Sequence, residues 1–383
     1  MKIAFDALPL ISERMTGIGY CQAGQIQALM ALHPEEQYIM QFFATGDGGE
    51  KRKRLTRYEE ARAEIRQGKC SGYLYRLLSN FLPIPYNKFF GNDADITHFF
   101  NYIVPPKVSG KTIVTVHDMV YKAFPETVRG RTRYMLETGL KRSMKRADLI
   151  VTDSQFSRSE ILKYFPQCEE KLRVVPCGVD RTRFHPVDNP VRIEETTKSL
   201  GIDREYFLYL GTLEPRKNLR RLAVAYNEFR KGKAEYPCLV LAGGKGWLNE
   251  DLMKTIKDLD LESDIKIVSY VPEEHICTLM SGALAFIFPS IYEGFGMPPL
   301  EAMACGVPVL TTHTASLPEV VGDSALICDP YNIEQICDCL EKLYRESNLR
   351  RDLSAASLKR ARMFSWENAA AILYDVYKEA LGG

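Results

Sequence analysis

The chain has 383 residues, which is enough for two domains that each bury a core of their own. Its net charge of +1 provides no overall field that would attract nucleic acid, so we expect no nucleic-acid partner. The apolar fraction of 45% and the charged fraction of 26% are those of an ordinary folded globular protein.

The beginning of the chain and its cysteines both predict a cytoplasmic location. Residues 1–6 enter a strand pattern directly, without the features of a signal peptide, and no apolar run approaches the roughly 20 residues that span a bilayer. The ten cysteines are scattered, with no C-x-x-C pair and no spacing typical of a zinc site. We therefore interpret them as buried free thiols in a reducing compartment.

Strand-like and helix-like patterns alternate along the chain in two successive series. In the first series, short apolar runs near 2–8, 38–44, 96–100, 112–117, 149–153 and 172–176 alternate with helical patterns such as 18–32 and 131–146. In the second, runs near 206–212, 238–243, 265–270, 284–289, 308–311 and 325–329 alternate with helical patterns near 218–231, 249–259, 272–283 and 298–305. This alternation predicts an α/β fold with two Rossmann-like, doubly wound domains.

The boundary between the two domains is expected in residues 180–204, where prolines and charges replace the periodic apolar pattern. We assign 1–185 to an N-terminal domain and 186–365 to a C-terminal domain. The last stretch, 366–383, has an amphipathic helical pattern, and we expect this helix to pack back on the N-terminal domain.

The strongest chemical signal is the run Glu293-Gly-Phe-Gly-Met-Pro-Pro-Leu-Glu301, which follows an apolar strand pattern. Gly294 and Gly296 permit tight turns, and the two prolines suit the first turn of a helix whose N–H groups would face an anion. Because two carboxylates would repel a phosphate, Glu293 and Glu301 are expected to accept hydrogen bonds from sugar hydroxyls beside it.

A second signal is the basic pair Arg216 and Lys217, which precedes the helix predicted from about Asn218. Two cations at a helix N-terminus oppose the helix dipole, and a bound anion would relieve that conflict. The pair therefore predicts a phosphate-binding loop, with a solvated basic pair as the alternative.

Taken together, these runs resemble the retaining glycosyltransferases of family 4, also called glycosyl transferases group 1. The run 293–301 is similar to the E-x7-E signature of that family, and 211–218 (Gly-Thr-Leu-Glu-Pro-Arg-Lys-Asn) is similar to its diphosphate-binding loop. Residues 175–180 resemble its interdomain segment, and 316–322 resemble the segment after the signature helix. The resemblance covers nearly the whole chain and implies the GT-B fold, with two Rossmann-like domains facing each other across a cleft.

The resemblance implies a hexosyltransferase whose N-terminal domain holds the acceptor and whose C-terminal domain holds a nucleotide-diphosphate sugar. The implied catalytic residues are His117, Arg216, Lys217 and Glu293. The implied donor-binding residues are Gly17, Gly19, Arg216, Lys217, Tyr270, Val271, Glu293, Gly294, Phe295, Gly296, Met297 and Glu301. In this assignment Glu293 holds the hexose hydroxyls, Glu301 holds the ribose hydroxyls, and the two cations stabilise the departing diphosphate.

Neither a metal ion nor another cofactor is expected. The D-x-D segments, such as Asp93-Ala-Asp95, lie outside the glycine-rich phosphate loops, and cationic side chains can replace a metal at the diphosphate. In the N-terminal half, Thr16-Gly-Ile-Gly-Tyr20 lacks the G-x-G-x-x-G spacing, which disfavours a dehydrogenase, but it resembles the glycine-rich loop of the family. Tyr20 stands where many relatives carry a basic residue, which leaves a side-chain phosphate contact there open.

His117 and Asp118 end the strand predicted near 112–117, at the edge where ligands of such sheets gather. The resemblance implies that His117 contacts the transferred sugar, and a packed strand-end histidine is the alternative. Asp118 would either orient His117 or cap the turn.

A basic amphipathic helix is predicted over 129–146, and an aromatic-rich segment over 73–90. Two interpretations remain open. The first is a peripheral face at the inner membrane surface for a lipid-linked acceptor. The second is an ordinary helix with a solvated basic side beside an ordinary apolar core.

The first hypothesis for the reaction is transfer of mannose from GDP-mannose to a glycan or lipid-linked acceptor. It depends on residues 112–120, which resemble bacterial mannosyltransferases of surface-polysaccharide pathways. Front-face attack with retention of configuration is the mechanism that the family implies. The alternatives are a nucleotide-sugar epimerase of the same fold and a non-catalytic nucleotide-sugar-binding protein.

Overall fold

The structure is a computed structural model that describes residues 1–13, 15–244, 250–269 and 271–382. It divides the chain into two compact units, the first formed by Met1–Gly178 with the C-terminal stretch from Ser365, and the second by Val179–Phe364. The break lies earlier than the predicted boundary at residue 185. Residues 179–185 belong with the second unit because the backbone of Val179 bonds to Phe364 and that of His185 bonds to Cys277.

The first unit is built on a seven-stranded, all-parallel sheet with the order β3-β2-β1-β4-β5-β6-β7. Its strands are β1 (Lys2–Asp6), β2 (Gln37–Phe43), β3 (Glu64–Gly68), β4 (Ile96–Phe99), β5 (Lys111–Thr115), β6 (Leu149–Thr152) and β7 (Leu172–Val174). Its helices up to β7 are α1 (Gly17–Leu32), α2 (Gly49–Lys53), α3 (Thr56–Glu60), α4 (Gly72–Ser79), α5 (Asn87–Phe90), α6 (Val120–Ala123), α7 (Gly130–Arg146) and α8 (Gln155–Tyr164).

The second unit has a six-stranded, all-parallel sheet with the order β10-β9-β8-β11-β12-β13. Its strands are β8 (Tyr206–Leu210), β9 (Cys238–Ala242), β10 (Ile265–Val268), β11 (Ala285–Phe288), β12 (Val309–Thr312) and β13 (Ala325–Cys328). Its helices are α9 (Pro190–Ser199), α10 (Leu219–Arg230), α11 (Glu250–Asp258), α12 (Glu273–Ser281), α13 (Met297–Ala304), α14 (Leu317–Val321), α15 (Ile333–Arg345) and α16 (Ser347–Ala361).

The predicted α/β class with two doubly wound sheets is confirmed, and the apolar runs correspond to strands in both units. The strand β3 is a strand that the periodicity missed. Its sequence, Glu-Ile-Arg-Gln-Gly, contains one strongly apolar residue, because an edge strand needs little apolar surface. Among the described residues, no helix combines the length and apolar character that crossing a membrane would require.

The last helix, α17 (Trp366–Leu381), packs against α1 within the first unit. Its apolar face, including Ala370, Leu373 and Tyr377, is buried in the same core as residues of β1. The Trp366 ring occupies the space beside Gly24 of α1, where a Cβ atom would lie 2.2 Å from the ring. A side chain at position 24 would therefore displace the tryptophan that docks this helix.

We predict that Gly178→Ala destabilises the first unit. A Cβ atom at Gly178 would lie 2.4 Å from the Trp366 nitrogen and 2.5 Å from the Ser365 carbonyl carbon, and backbone cannot move aside as a flexible side chain can. Overpacking of this kind lowers the free energy of unfolding by about 1–3 kcal/mol. The matched control is Gly130→Ala, where the new Cβ meets no atom within 4 Å. Urea unfolding followed by circular dichroism compares the two, and equal midpoints would contradict the prediction.

Candidate active site

The site in the second unit lies at the point where the strand order reverses. Strands β8 and β11 are neighbours, and the chain leaves them in opposite directions across the sheet, toward β9 and β12. Because all strands are parallel, the loops that follow β8 and β11 start at the same edge, where open α/β sheets bind ligands. The first loop carries Arg216 and Lys217, and the second carries Glu293.

These three side chains form one ion cluster. The Glu293 Oε1 atom accepts hydrogen bonds from Lys217 Nζ at 2.5 Å and from Ser290 Oγ at 2.5 Å, and its Oε2 atom accepts one from Arg216 at 2.9 Å. Arg216 also donates to Glu214 at 3.1 Å. The cluster therefore contains two carboxylates and two cations, which balance in charge.

Burial and pairing act in opposite directions on the charges of this cluster. Burial disfavours the Glu293 carboxylate, but the charges of Arg216 and Lys217, with the hydrogen bonds from Lys217 and Ser290, outweigh it and lower the pKa to about 2. Burial and then the charge of Arg216 lower the pKa of Lys217, and Glu293 opposes both. Glu293 is therefore a carboxylate at neutral pH, held in place by its cationic neighbours.

The cluster keeps hydrogen-bonding capacity for a ligand. A carboxylate offers about four acceptor positions, and three of those on Glu293 are used by described residues. The Lys217 ammonium has three donors, of which one is used by a described residue, and it lies 4.9 Å from the Phe288 ring centroid. The cluster can therefore receive one hydroxyl at Glu293 and an anionic oxygen at Lys217.

The local backbone explains why the loop after β8 carries glycine. Gly211 has φ +156 and Gly243, at the end of β9, has φ +136, and a Cβ on Gly243 would lie 2.1 Å from the Gly211 carbonyl oxygen. The two cations lie in a 3-10 turn, Pro215–Lys217, before α10 begins at Leu219. They need no bound anion to relieve a conflict with the helix dipole, because Glu214 and Glu293 already neutralise them.

The helix α13 follows the second loop and carries Glu301. The left-handed backbone of Gly296, with φ +110, turns the chain into the helix, and Pro298 and Pro299 occupy the first turn. The Glu301 carboxylate makes no hydrogen bond or ion pair with another described residue. Burial raises its pKa to about 7, against the charge of Arg183. An acceptor group that the fold leaves unpaired is available for a ligand.

The other predicted donor-binding residues of the second unit lie on or beside these same elements. Gly294 and Phe295 lie between Glu293 and α13, Met297 is the first residue of that helix, and Val271 is buried just before α12. Tyr270 lies outside the described residues.

Two serines that the sequence motifs did not single out support the loop. Ser290 hydrogen-bonds to Glu293, and Ser316 Oγ lies 3.0 Å from the Glu293 carbonyl oxygen and 2.7 Å from that of Phe295. Their signal was weak but present, since Ser290 comes directly after an apolar strand and Ser316 begins a run that the resemblance singled out.

In the first unit, His117 follows β5, and its side chain is buried with both ring nitrogens in hydrogen bonds. Its Nδ1 atom lies 2.6 Å from Asp153 Oδ2 and its Nε2 atom 2.8 Å from the Phe100 carbonyl oxygen. Both partners are acceptors, so both ring nitrogens donate. Burial opposes the imidazolium, but the Asp153 charge and hydrogen bond raise the His117 pKa to about 10. With both nitrogens occupied, the ring offers a ligand its face and carbon edge rather than a nitrogen.

The residue that orients His117 is Asp153 at the end of β6, not Asp118. Asp118 Oδ1 accepts from the backbone nitrogen of Val120 at 3.1 Å and from Tyr102 at 3.2 Å, so it caps the turn. Of the two roles that the sequence left open for Asp118, the structure shows the cap. Asp153 was missed because it lies on the neighbouring strand, 36 positions away.

The first switch point of the molecule lies between β1 and β4, where α1 begins at Gly17. A Cβ atom on Gly19 would lie 3.1 Å from the Pro9 carbonyl oxygen, whereas one on Gly17 would meet nothing within 4 Å. Packing therefore accounts for Gly19, and the space beside Gly17 is open.

At the same edge of the first unit is a cavity of about 270 Å³. Its lining includes Lys51, Ser71 and Tyr73 together with the buried ion pair Asp6–Arg76, whose atoms are 2.7 Å apart. The cavity thus combines charged and hydroxyl groups with an aromatic ring, which is a combination suited to a polar, ring-shaped ligand.

Two parallel sheets, each with polar loops at a switch point, define a protein of the doubly wound α/β class, whose ligands bind at such points. The comparison with known families is more specific. Residues 192–360 match the family described as Glycosyl transferases group 1, and residues 38–183 match Glycosyltransferase Family 4. The chain belongs to this glycosyltransferase family, so the enzyme class predicted from the sequence is confirmed.

Relatives in sequence include several bacterial mannosyltransferases. The chain is 36% identical over 288 residues to the O-antigen chain mannosyltransferase B of Escherichia coli, a match that covers 74% of each protein. It is 27% identical to the serotype-specific mannosyltransferase WbdA of Escherichia coli over 72% of this chain, but this match spans only 34% of WbdA.

Solved structures share the fold at low identity. The Anabaena protein HepE in complex with UDP and glucose is similar with a TM-score of 0.73 and 18% identity, over 99% of this chain and 100% of that one. The glycosyltransferase WaaG is similar with a TM-score of 0.70 and 17% identity, over 99% of this chain and 98% of that one. These likenesses confirm the predicted GT-B fold.

We predict that Glu301→Gln stabilises the protein above pH 7 and has little effect near pH 4.5. The pKa of Glu301 is raised from 4.5 to about 7, so between these values the unfolded chain releases the proton while the folded protein retains it. Stability attributable to the protonated group is therefore lost as the pH rises through this window, and glutamine avoids that loss. Chemical unfolding of both proteins at pH 5 and pH 8 measures the difference.

The matched control for this experiment is Glu262→Gln, at an exposed position of the same unit. The change in the effect of Glu301→Gln between the two pH values should exceed the corresponding change for Glu262→Gln. A stabilisation by Glu301→Gln that is equal at pH 5 and pH 8 would show that Glu301 does not hold its proton in the folded state.

Proposed function

We propose that this glycosyltransferase transfers mannose from GDP-mannose to a glycan acceptor, with retention of anomeric configuration and without a metal at the diphosphate. The observation that carries the proposal is the cluster of Arg216, Lys217 and Glu293 beside the N-terminus of α13. The choice of mannose is supported by the relatives in Escherichia coli that are named mannosyltransferases.

The cluster suits the departure of a nucleotide diphosphate. The β-phosphate gains about one negative charge as the sugar bond breaks, and preorganised cations aimed at that charge lower the barrier. Lys217 would direct its remaining N–H donors at the leaving oxygen, and the N–H groups at the start of α13 would face the diphosphate. Since Glu293 neutralises these cations in the free protein, the buried lysine is held in position before the donor arrives.

The carboxylates would hold the sugars of the donor. The remaining acceptor position on Glu293 would take one hexose hydroxyl, and Glu301, unpaired among described residues, would accept from the ribose hydroxyls. In the first unit, Asp6 and Asp153 are each paired with a cationic side chain. This pairing favours front-face attack, in which the departing diphosphate takes the acceptor proton, over a carboxylate nucleophile.

The acceptor would bind in the first unit, in the cavity beside Asp6 and Arg76. Lys51 and Ser71 would hydrogen-bond to sugar hydroxyls there, and the Tyr73 ring would pack on the apolar face of a pyranose. The position of this cavity at the carboxyl edge of the strands agrees with that role.

We further propose that the first unit contacts an anionic membrane surface that carries a lipid-linked acceptor, at the cytoplasmic face of the inner membrane. Helix α4 and the turn after it expose apolar side chains to solvent, namely Tyr73, Leu74, Leu78, Phe81 and Leu82. The basic helix α7 adjoins them, since the Arg131 guanidinium lies 3.4 Å from the Tyr73 ring centroid. Exposed apolar groups flanked by cations suit the interface of an anionic bilayer.

The reaction itself is tested with GDP-mannose and a mannose-terminated oligosaccharide, using NMR to assign the new linkage. We expect an α-linked product from the α-linked donor, no turnover of donor without acceptor, and full activity in EDTA. A β-linked product would refute retention, and donor turnover without acceptor would favour an epimerase. Activity lost in EDTA and restored by Mg²⁺ would show that a metal assists the departure of the diphosphate. Activity with UDP-glucose but not with GDP-mannose would show that GDP-mannose is not the donor.

The role of Lys217 is tested by comparing two variants in steady-state kinetics. Lys217→Ala should lower kcat at least about a hundredfold, because the lost contact stabilises charge that develops in the transition state. Glu301→Ala should raise KM and nearly preserve kcat, because the ribose hydroxyls change little during transfer. Lys231→Ala, at an exposed position of the same unit, is the control for loss of a cation, and thermal melting confirms folding. If Lys217→Ala changes only KM, the lysine positions the donor and does not stabilise the leaving group.

Membrane contact is tested by co-sedimentation with vesicles that contain an anionic lipid. Binding should be strongest at low salt, where electrostatic attraction is least screened, and Phe81→Ser should weaken it. Ile372→Ser, which removes an exposed apolar residue from α17 of the same unit, is the matched control and should leave binding unchanged. Binding that does not depend on anionic lipid at low salt would eliminate this proposal.

A further inference from the structure

The first unit brings two cysteines and an aspartate together in its interior. Cys21 lies in α1, Asp153 follows β6, and Cys177 follows β7. One ligand atom from each lies within 4.8 Å of the other two, and the two sulfurs are 3.5 Å apart. All three residues are at least 97% buried. The two cysteines are 156 positions apart, so no sequence spacing could have indicated their proximity.

The carboxylate of Asp153 is incompletely satisfied. Its Oδ2 atom accepts the hydrogen bond from His117, but its Oδ1 atom is buried with no hydrogen-bond partner among the described residues. A buried carboxylate oxygen without a partner costs free energy, so such an atom calls for an explanation. Its position in a group with two thiols suggests that the missing partner is a cation that sulfur and oxygen both bind.

We propose that Cys21, Asp153 and Cys177 bind a thiophilic divalent cation, with Zn²⁺ as the preferred ion. Tetrahedral zinc with Zn–S bonds of about 2.3 Å separates two sulfurs by about 3.8 Å and a sulfur from a carboxylate oxygen by about 3.6 Å. The observed separation of 3.5 Å between the two sulfurs is close to the tetrahedral value of about 3.8 Å. The carboxylate oxygen lies within 4.8 Å of both sulfurs, so it would move closer by about 1 Å at most to reach the distance expected around zinc. A water molecule would complete the coordination.

The charges of this group balance when the ion binds. Zn²⁺ replaces the protons of the two thiols, so two positive charges enter and two protons leave. The carboxylate of Asp153 and the imidazolium of His117 already compensate each other. The buried group therefore gains no net charge, which removes the main penalty for an ion in an apolar interior. His117 would act on the ion only through its hydrogen bond to the ligand Asp153.

The ion would have a structural role, separate from the proposed transfer reaction. It would join the first turns of α1 to the chain after β6 and after β7, and so fix the helix whose N-terminal residue is Gly17. Two of the ten cysteines, which were interpreted from the sequence as buried free thiols, would therefore be ligands of the ion. This site involves neither Arg216 nor Lys217, so its failure would leave the transfer proposal intact.

The site is tested by titrating the full-length, reduced, metal-free protein with Co²⁺ and then displacing it with Zn²⁺. We expect one Co²⁺ per chain with sulfur-to-cobalt charge-transfer absorption and the visible bands of a tetrahedral site. Cys21→Ser and Cys177→Ser should each abolish the charge-transfer band or weaken Zn²⁺ binding by at least about a hundredfold, beyond the range of outer-shell changes. Asp153→Asn should weaken binding with less effect on the band.

The matched control is Cys277→Ser, in the second unit. Cys277 and Cys305 form a comparable buried pair, with sulfurs 3.8 Å apart, but no carboxylate joins them in a ligand group among the described residues. This variant should bind the ion as the unaltered protein does, and thermal melting confirms that each variant is folded. The proposal is overturned if the folded Cys21→Ser and Cys177→Ser variants keep the band. It is also overturned if the reduced protein binds no Co²⁺, or if Cys277→Ser alone abolishes binding.

Discussion

The polar loops at the switch point of the second unit depend on one buried carboxylate, that of Glu293. It joins the loop after β8 to the loop after β11, which are 76 positions apart in the chain, through both cations of the first loop. A buried cation without a partner would be strongly destabilising, so the buried Lys217 depends on its ion pair with Glu293. The same contact fixes where the signature loop begins, and therefore where α13 and Glu301 lie.

Both units bury polar side chains at the carboxyl edge of a parallel sheet, and both neutralise them with ion pairs. Strands of a parallel sheet end at one edge, which collects polar side chains and loops in a small volume. In the first unit this edge holds the pairs Asp6–Arg76 and Asp153–His117, and in the second it holds the Glu293 cluster. Asp6, Asp153 and Glu293 are each neutralised by a cation from another element or loop of the same unit, so the edge can be buried and still be polar.

Glu301 departs from this arrangement. Among the described residues no cation forms an ion pair with its carboxylate, and burial raises its pKa to about 7. Natural proteins tolerate such local costs where a ligand compensates for them. The contrast between Glu293, satisfied before any ligand binds, and Glu301, unsatisfied among described residues, agrees with different roles for two residues that look equivalent in the sequence motif.

The sequence by itself determined the fold class, because the apolar periodicity of strands and helices is a local property that a short window contains. It also indicated which segments carry the polar chemistry, since Arg216, Lys217 and Glu293 lie in the loops after β8 and β11. Glu301 lies in the helix that follows the second of these loops. The sequence did not reveal β3, whose edge position needs little apolar surface. Only the tertiary structure decided that Asp153 pairs with His117, that Glu293 neutralises Lys217, and that Cys21 meets Cys177. The physical reason is that such pairs depend on which strands are neighbours in the sheet, and strand order is a property of the whole packed unit.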